Sequence, residues 1–76
     1  MAHYKFVDPY PVYGYRRTLN DEGLWGMIDS MHAEVLPCIY TYLSVPYPDG
    51  KVIASTGSLY DYIMNPIVIM LQKLPN

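Results

Sequence analysis

The chain has 76 residues and a net charge of −2, and its single cysteine, Cys38, excludes an intrachain disulfide and a zinc site built on several cysteines. Charged residues make up 16% of the chain, below the roughly 25% of typical globular proteins, and they form no basic stripe of the kind that nucleic-acid binding requires. A core this small supplies only about 3–5 kcal/mol without a disulfide, a metal or a partner. We therefore expect residues 18–76 to form a single small unit that is not independently stable.

The N-terminal residues 1–17 are rich in tyrosine and proline, and Pro9 and Pro11 exclude an ordinary helix there. Each proline also favours an extended conformation for the residue before it. These features predict an extended arm with a turn near Tyr13–Gly14. Because such an arm has little core of its own, we expect its aromatic side chains to bind another protein. The expected partner-binding residues of the arm are Tyr4, Phe6, Tyr10, Tyr13 and Tyr15.

The next segment has the features of an amphipathic helix. The sequence Thr18–Asp21 fits a capping box, and Asn20 is an alternative N-cap. Apolar side chains then recur at helical spacing until Pro37, where a helix would end. The pattern predicts a helix over about 20–36. The apolar stripe comprises Leu24, Met27, Ile28, Met31 and Val35.

Two glycines lie on the opposite face of this predicted helix. Gly23 and Gly26 would each cost about 1 kcal/mol relative to alanine inside a helix, so they need a reason. Close approach of another backbone is one reason, and tolerance on a solvated face is the other. Trp25 extends the apolar stripe, and we expect it to be an anchor in the core or at a partner interface.

The middle of the chain favours a short hairpin over about 38–54. The stretch Cys38–Val45 is β-branched and aromatic, Pro46–Gly50 is a strong turn sequence, and a return strand follows it. An alternative continues the first helix through Pro37 with a kink, which would give residues 24–45 nearly membrane-spanning length. Its ionisable side chains make it a poor lipid-facing helix.

The C-terminal part predicts a second helix. Ser58–Asp61 is another capping box, and the helix is expected over about 58–74 with a break or kink near Pro66. The run Ile67–Leu71 is apolar on all sides of a helix, so another protein must cover it. The expected partner-binding residues here are Ile67, Ile69 and Leu71, together with Trp25.

These elements predict a small mainly-α or α+β chain. Low charge, high tyrosine content and exposed apolar surface favour a non-catalytic accessory or structural subunit of a larger protein assembly. We expect contact with a membrane to be compatible with this sequence, without a preference for spanning it. No cofactor, nucleic acid or small-molecule substrate is expected. The start of the chain lacks the pattern of a secretory signal peptide, which favours an intracellular or organellar location.

The competing hypothesis is a small ligand- or metal-binding domain that uses His32 with Asp29 or Cys38. On a helix Asp29 and His32 can meet, whereas His32 and Glu34 point in different directions. Because a metal site needs three or four converging ligands, we expect His32 to be packed at the edge of the core and both acidic side chains to be solvated. No motif positions a nucleophile or an acid–base pair, so we do not expect an enzyme.

Overall fold

Two antiparallel sheets dominate the structure, a computed structural model that describes residues 3–71. The first sheet has the strand order β1-β2-β3-β4 and the second has the order β5-β6-β7. The elements are β1 (Phe6–Val7), β2 (Arg16–Leu19), β3 (Trp25–Ile28), β4 (Glu34–Tyr40), β5 (Tyr42–Leu43), β6 (Lys51–Ser55), α1 (Leu59–Met64) and β7 (Ile67–Met70).

Within each sheet every strand pairs with the next strand of the chain, so each sheet is an antiparallel meander, and the chain changes sheet between β4 and β5. Only Thr41 separates β4 from β5, and the chain passes there from the first sheet to the second. The Thr41 amide donates to the Ser55 carbonyl at 2.8 Å. Its hydroxyl lies 2.9 Å from the Ser55 carbonyl oxygen and 2.6 Å from that of Gly57. These contacts hold the corner against the end of β6.

Side chains from both sheets share one core. Met27 and Val52 are fully buried, one from each sheet, and Trp25, Tyr40 and Ile69 pack against the cluster as half-buried side chains. The two sheets therefore stabilise each other by apolar burial, at about 25 cal/mol per Å² removed from water. The remaining buried members of the cluster are Tyr15, Leu36, Leu43, Ala54 and Leu71.

Three of the hairpin loops have the same geometry. They run over Asn20–Leu24, Asp29–Ala33 and Tyr47–Lys51. In each, the first amide donates to the fifth carbonyl and the fourth amide donates to the first carbonyl, at 2.9–3.0 Å. The fourth residue has a positive φ: +80° at Gly23, +62° at His32 and +90° at Gly50. This is a three-residue hairpin loop whose left-handed position favours glycine.

Asn20 and Asp29 open the first two of these loops with the same side-chain contacts. The Asn20 Oδ1 accepts from the amides of Glu22 at 2.9 Å and Leu24 at 3.0 Å. The Asp29 Oδ1 accepts from the amides two and four residues later, at 2.8 and 2.9 Å. Short polar side chains can serve a helix cap or a turn in this way, and here both serve turns.

The predicted helix over about 20–36 is wrong, because those residues form β3, two hairpin loops and the start of β4. Gly26 supplies a physical reason. A Cβ at this position would lie 2.7 Å from the Leu36 carbonyl oxygen and 2.9 Å from the Cys38 amide nitrogen. The glycine therefore permits close approach of another backbone, between strands rather than between helices. Thr18, predicted to cap the helix, is buried within β2.

The predicted extended N-terminal arm is also corrected. Its residues fold back on themselves, with β1 pairing antiparallel to β2, so the segment belongs to the first sheet. The turn predicted near Tyr13–Gly14 is present, with φ of +52° and +85° at the two residues and a bridge between Val12 and Tyr15. Two positive φ values are typical of the type I′ turn, whose twist suits a hairpin.

The kinked-helix alternative for residues 24–45 is wrong as well, because β4 runs through Pro37. Proline cannot donate to a strand ladder, and it is tolerated here because β4 is an edge strand with an irregular register. The hairpin predicted over about 38–54 exists in its later part, where β5 pairs with β6. Cys38 lies instead in β4 of the first sheet.

The predicted helix over about 58–74 is wrong beyond its first turns. The capping box at Ser58 is present, but α1 has only six residues and β7 follows Pro66. Residues 72–74 of this prediction lie outside the described range. The chain is mainly β, so the predicted mainly-α or α+β class is wrong. The run Ile67–Ile69 is β-branched, which favours a strand.

Candidate interaction surface

The helix α1 forms because its first turn satisfies its own backbone. The Ser58 hydroxyl accepts from the Asp61 amide at 3.2 Å, and the Asp61 carboxylate accepts from the Ser58 amide at 3.2 Å. This reciprocal pair satisfies two otherwise unpaired donors. The helix ends at Asn65, whose amide donates to the Asp61 carbonyl, because Pro66 disfavours helical conformation in the residue before it.

Within residues 3–71, one side of α1 packs on the second sheet. The Tyr62 ring lies 5.5 Å from the Tyr42 ring, between centroids, which fastens the helix to the second sheet. None of the six described residues of α1 is buried. Side chains spaced three and four apart share one helix face. Its outer face carries Leu59, Tyr60, Ile63 and Met64, all exposed.

The strand β7 continues this apolar surface. Within residues 3–71 it pairs with β6 only, so its other side is an edge of the second sheet in the described part of the chain. Ile67, Val68 and Met70 are exposed and Ile69 is half-buried. We call the exposed set the α1–β7 surface. Its members are Leu59, Tyr60, Ile63, Met64, Ile67, Val68 and Met70.

At the open edge of β7, two residues direct their backbone N–H and C=O groups away from β6. The Leu71 amide donates to the Gly50 carbonyl at 2.8 Å. Because hydrogen-bonded and non-hydrogen-bonded pairs alternate in an antiparallel ladder, Ile69 also directs its N–H and C=O towards β6. Val68 and Met70 therefore direct theirs outward. Their side chains share one face of the sheet, and those of Ile67 and Ile69 share the other.

Among the sheet edges in residues 3–71, β7 has the fewest features that block pairing. The strands β1 and β5 have two residues each. The strand β4 carries Pro37 and register shifts against β3. Short strands, prolines and bulges are the usual protections of an edge. The edge of β7 has Pro66 before its first residue and no such feature inside it.

Charge is also missing from this part of the sequence. No Asp, Glu, Lys or Arg occurs from Tyr62 to Gln72. Charged side chains, lysine above all, are the commonest way to keep an edge strand from pairing with another chain. An apolar, uncharged surface beside an open edge is typical of a protein-binding site.

The aromatic residues of the first sheet are placed differently. Tyr10 and Tyr13 are exposed in the β1–β2 hairpin. Phe6 and Trp25 make an edge-to-face contact at 6.2 Å between ring centroids, and the Arg17 guanidinium lies 5.0 Å from the Trp25 ring centroid. These contacts within the chain cover part of the Trp25 ring and stabilise it by packing and by a cation–π interaction.

Arg17 connects the two sheets through polar contacts. Its Nε donates to the Asp8 carboxylate at 2.8 Å, and its Nη1 donates to the Leu43 carbonyl at 3.0 Å. The Arg17 amide also donates to Asp8, at 3.1 Å. Asp8 is nearly buried, so these contacts compensate for taking its charge out of water. The contacts of Arg17 with Asp8 and Leu43 therefore have a structural role, which is to hold the two sheets together.

Tyr4 is the single group in the described residues whose acidity is clearly shifted. Burial raises the pKa of the Tyr4 phenol, and the Glu34 carboxylate and the Cys38 thiol raise it further. Tyr4 is half-buried, so its ring is available in part for contacts outside the chain.

The residues of the competing hypothesis do not converge. His32 is exposed at the left-handed position of the β3–β4 loop, so the expectation that it packs at the core edge is wrong. The Asp29 carboxylate accepts from two loop amides, and the Cys38 thiol lies 3.4 Å from the Thr18 hydroxyl. Within residues 3–71, no group of three His, Cys, Asp or Glu side chains is placed to hold a metal ion.

The residues predicted to bind a partner divide into exposed and buried sets. Tyr15 and Leu71 belong to the core cluster. Phe6, Tyr10, Tyr13 and Ile67 are exposed, whereas Tyr4, Trp25 and Ile69 are half-buried. Their role in binding stays a prediction. Val68 and Met70 lie within the apolar run Ile67–Leu71 that was expected to need cover, but a helix gave no reason to single them out, whereas strand alternation places them outside. The exposed residues of α1 were not predicted as partner-binding: Leu59, Tyr60, Ile63 and Met64.

No helix in the part of the chain that the structure describes is long and apolar enough to cross a membrane. Comparison with family models, with curated proteins and with solved structures finds no match for this chain.

Proposed function

We propose that this chain is a non-catalytic accessory or structural subunit that joins a larger protein assembly, and that it docks through the outer face of α1. The observation that carries the proposal is the exposure of that whole face on a helix with no buried residue. A helix in a globular domain normally gains most of its stability by burying an apolar side. This one has its apolar side turned to solvent.

The energetics favour a partner on this face. An isolated helix of six residues is far below the about 12–15 residues at which helices become marginally stable in water. The capping box and the Tyr42–Tyr62 contact support it from within the chain. Full burial of a Leu, Ile or Met side chain contributes about 1.5–3 kcal/mol. Contact with another subunit would therefore stabilise both the helix and the complex.

The chemistry of the face indicates an apolar recess on the partner. Leu59, Ile63 and Met64 offer aliphatic and thioether groups, and Tyr60 adds an aromatic ring with a polar end. Tyrosine is enriched among the residues that contribute most to interfaces. Helix-in-groove recognition uses apolar residues at this spacing. The proposal omits Tyr15 and Leu71, which are in the core.

The test is capture of partners by the full chain and by two matched lysine variants. Tagged wild type, Ile63→Lys and Met31→Lys are expressed in cells that produce the protein and purified in mild detergent, and copurifying proteins are quantified by mass spectrometry. Met31 is 82% exposed in the β3–β4 loop and Ile63 is 65% exposed on α1, so both changes spare the core.

We expect the same partner proteins with wild type and with Met31→Lys, and at least about a tenfold loss with Ile63→Lys, since burying an apolar side chain of this size is worth more than 1.4 kcal/mol. Equal recovery with all three proteins would refute docking through α1. Catalytic turnover by the purified chain alone, abolished by a point substitution, would refute the non-catalytic role.

A further inference from the structure

The open edge of β7 fits one partner in detail, a second copy of the same edge. We propose that this chain forms a two-fold homodimer by antiparallel pairing of β7 with β7, so that two three-stranded sheets join into one of six strands. The proposal uses the strand edge and not the outer face of α1, so it can fail while the proposed function holds. The exposed edge and its lack of charge are its first support.

The backbone register is the second support. Val68 and Met70 direct their N–H and C=O outward. If Ile69 lies opposite Ile69 of the second copy, each Val68 lies opposite a Met70, and both pairs exchange two hydrogen bonds. All outward donors and acceptors of β7 are then satisfied. A register that places Met70 opposite Pro66 loses donors, because proline has no N–H.

The side chains agree with this register on both faces of the sheet. Ile67 and Ile69 lie on the same face as Ala54 and Val52, their fully buried partners on β6. Pairing about Ile69 places this face of one copy beside the same face of the other, on the same side of the joined sheet. The apolar layer of the second sheet therefore continues across the seam. On the outer face, Val68 at 56% exposure meets Met70 at 62% exposure.

Symmetry explains why a second copy fits better than a different strand. A two-fold contact needs one surface that is complementary to itself. Like charges opposite each other would oppose such a contact, and the edge carries none. The seam is short, so the dimer is expected to be weak and visible mainly at high protein concentration.

The test is a charge-swap pair at Met70. In the proposed register the two Met70 side chains are diagonal neighbours on one face, about 7–8 Å apart and within reach of long side chains. Association is measured by sedimentation from micromolar to near-millimolar concentration for wild type, Met70→Lys, Met70→Glu and an equimolar mixture of the two variants. The control is Met31→Lys, a similar change at an exposed site away from β7.

Wild type and Met31→Lys should dimerise with equal affinity, and each Met70 variant alone should weaken association at least about tenfold. The mixture should recover association, because Lys and Glu are then diagonal neighbours of opposite charge across the seam. A wild type that stays monomeric throughout overturns the proposal. So does a dimer that neither variant weakens, or a mixture that associates no better than its components.

Amide hydrogen exchange on the wild-type chain tests the register without any substitution. The amides of Ile69 and Leu71 are bonded to β6 and should be protected at every concentration. The amides of Val68 and Met70 should gain protection only as concentration rises. Equal exchange of those two amides at low and high concentration would refute pairing through β7, whatever partners α1 captures.

Discussion

Replacing His32 with glycine is expected to stabilise the protein. His32 has a φ of +62°, at the loop position that Gly23 and Gly50 occupy in the two sister hairpins. The left-handed conformation costs a non-glycine residue roughly 1–2 kcal/mol. Glycine offsets about 0.5–1 kcal/mol of this gain, because it increases the conformational entropy of the unfolded chain. The net gain in the free energy of unfolding should be about 0.5–1 kcal/mol, since the exposed histidine contributes little burial.

The assay is urea unfolding at one low protein concentration, followed by the fluorescence of Trp25. Trp25 is the only tryptophan, and its contacts with Phe6 and Arg17 are lost on unfolding. For a domain of this size, the expected gain corresponds to a rise in the thermal midpoint of about 2–8 °C. The slope of the urea transition should not change, because the same surface is exposed on unfolding.

Two further variants isolate the backbone effect. His32→Ala keeps a Cβ at the left-handed position and should give no comparable gain. Gly23→Ala introduces the strain into a sister loop, where a Cβ would meet nothing within 4 Å, and should lose about 1 kcal/mol. If His32→Gly is no more stable than His32→Ala, the strain assigned to this loop is absent and the reasoning fails.

Three other substitutions address the rest of the fold. Gly26→Ala should lose about 1–3 kcal/mol in urea unfolding, because the new methyl meets backbone atoms of β4; a loss no larger than that of Gly23→Ala would contradict this. Asp8→Asn should lose about 1–3 kcal/mol by weakening the contacts with Arg17, and unchanged stability would show that these contacts are not needed. Burial of the Tyr4 phenol, with smaller effects from nearby acidic groups, raises its pKa in the folded state. The neutral phenol therefore contributes stability that is fully present below the unfolded-state pKa of about 10 and is lost as the pH rises through the folded-state pKa. Above about pH 10, the free energy of unfolding should therefore fall more for wild type than for Tyr4→Phe. An equal fall in both proteins would show that ionisation of Tyr4 is not the cause.

The turns were more predictable than the elements between them. Pro46–Gly50, Tyr13–Gly14 and the Ser58 capping box depend on local chemistry that acts within a few residues, and each is present. Asn20 also caps backbone amides as expected, but in a hairpin loop. The same side-chain bonds serve a helix N-terminus and a turn, so local chemistry alone does not separate the two.

The error over residues 20–36 arose from short apolar runs. The four residues of β3 are too few to establish a period, and the adjacent residues Met27 and Ile28 are both buried, so the strand lacks the apolar–polar alternation that would distinguish it from a helix. Gly26 held the discriminating information, because a strand core with a close neighbouring backbone needs a residue without a Cβ. That neighbour, β4, comes from later in the chain, so its distance could not be calculated from the sequence.

The candidate surface was only partly predictable for a similar reason. The apolar run Ile67–Leu71 was recognised as needing cover, but a helix that is apolar on all sides gave no reason to separate its exposed members from its buried ones. Strand alternation turns Val68 and Met70 outward instead and places Leu71 in the core. The β-branched residues at 67–69 favoured a strand, and the capping box before them favoured a helix that in fact ends at Met64.

The meander of the two sheets has a consequence for the rate of folding. Because the strands within each sheet pair in chain order, most strand contacts join residues that are close in sequence. When the contact order is low, only short loops must close before strands form stabilising pairs, and low contact order correlates with fast folding. This chain should therefore fold faster than β-sandwiches of similar size whose strands pair across long connections. The α1 connection between β6 and β7 closes one of the longer loops in the described chain, so β7 is expected to join the second sheet late.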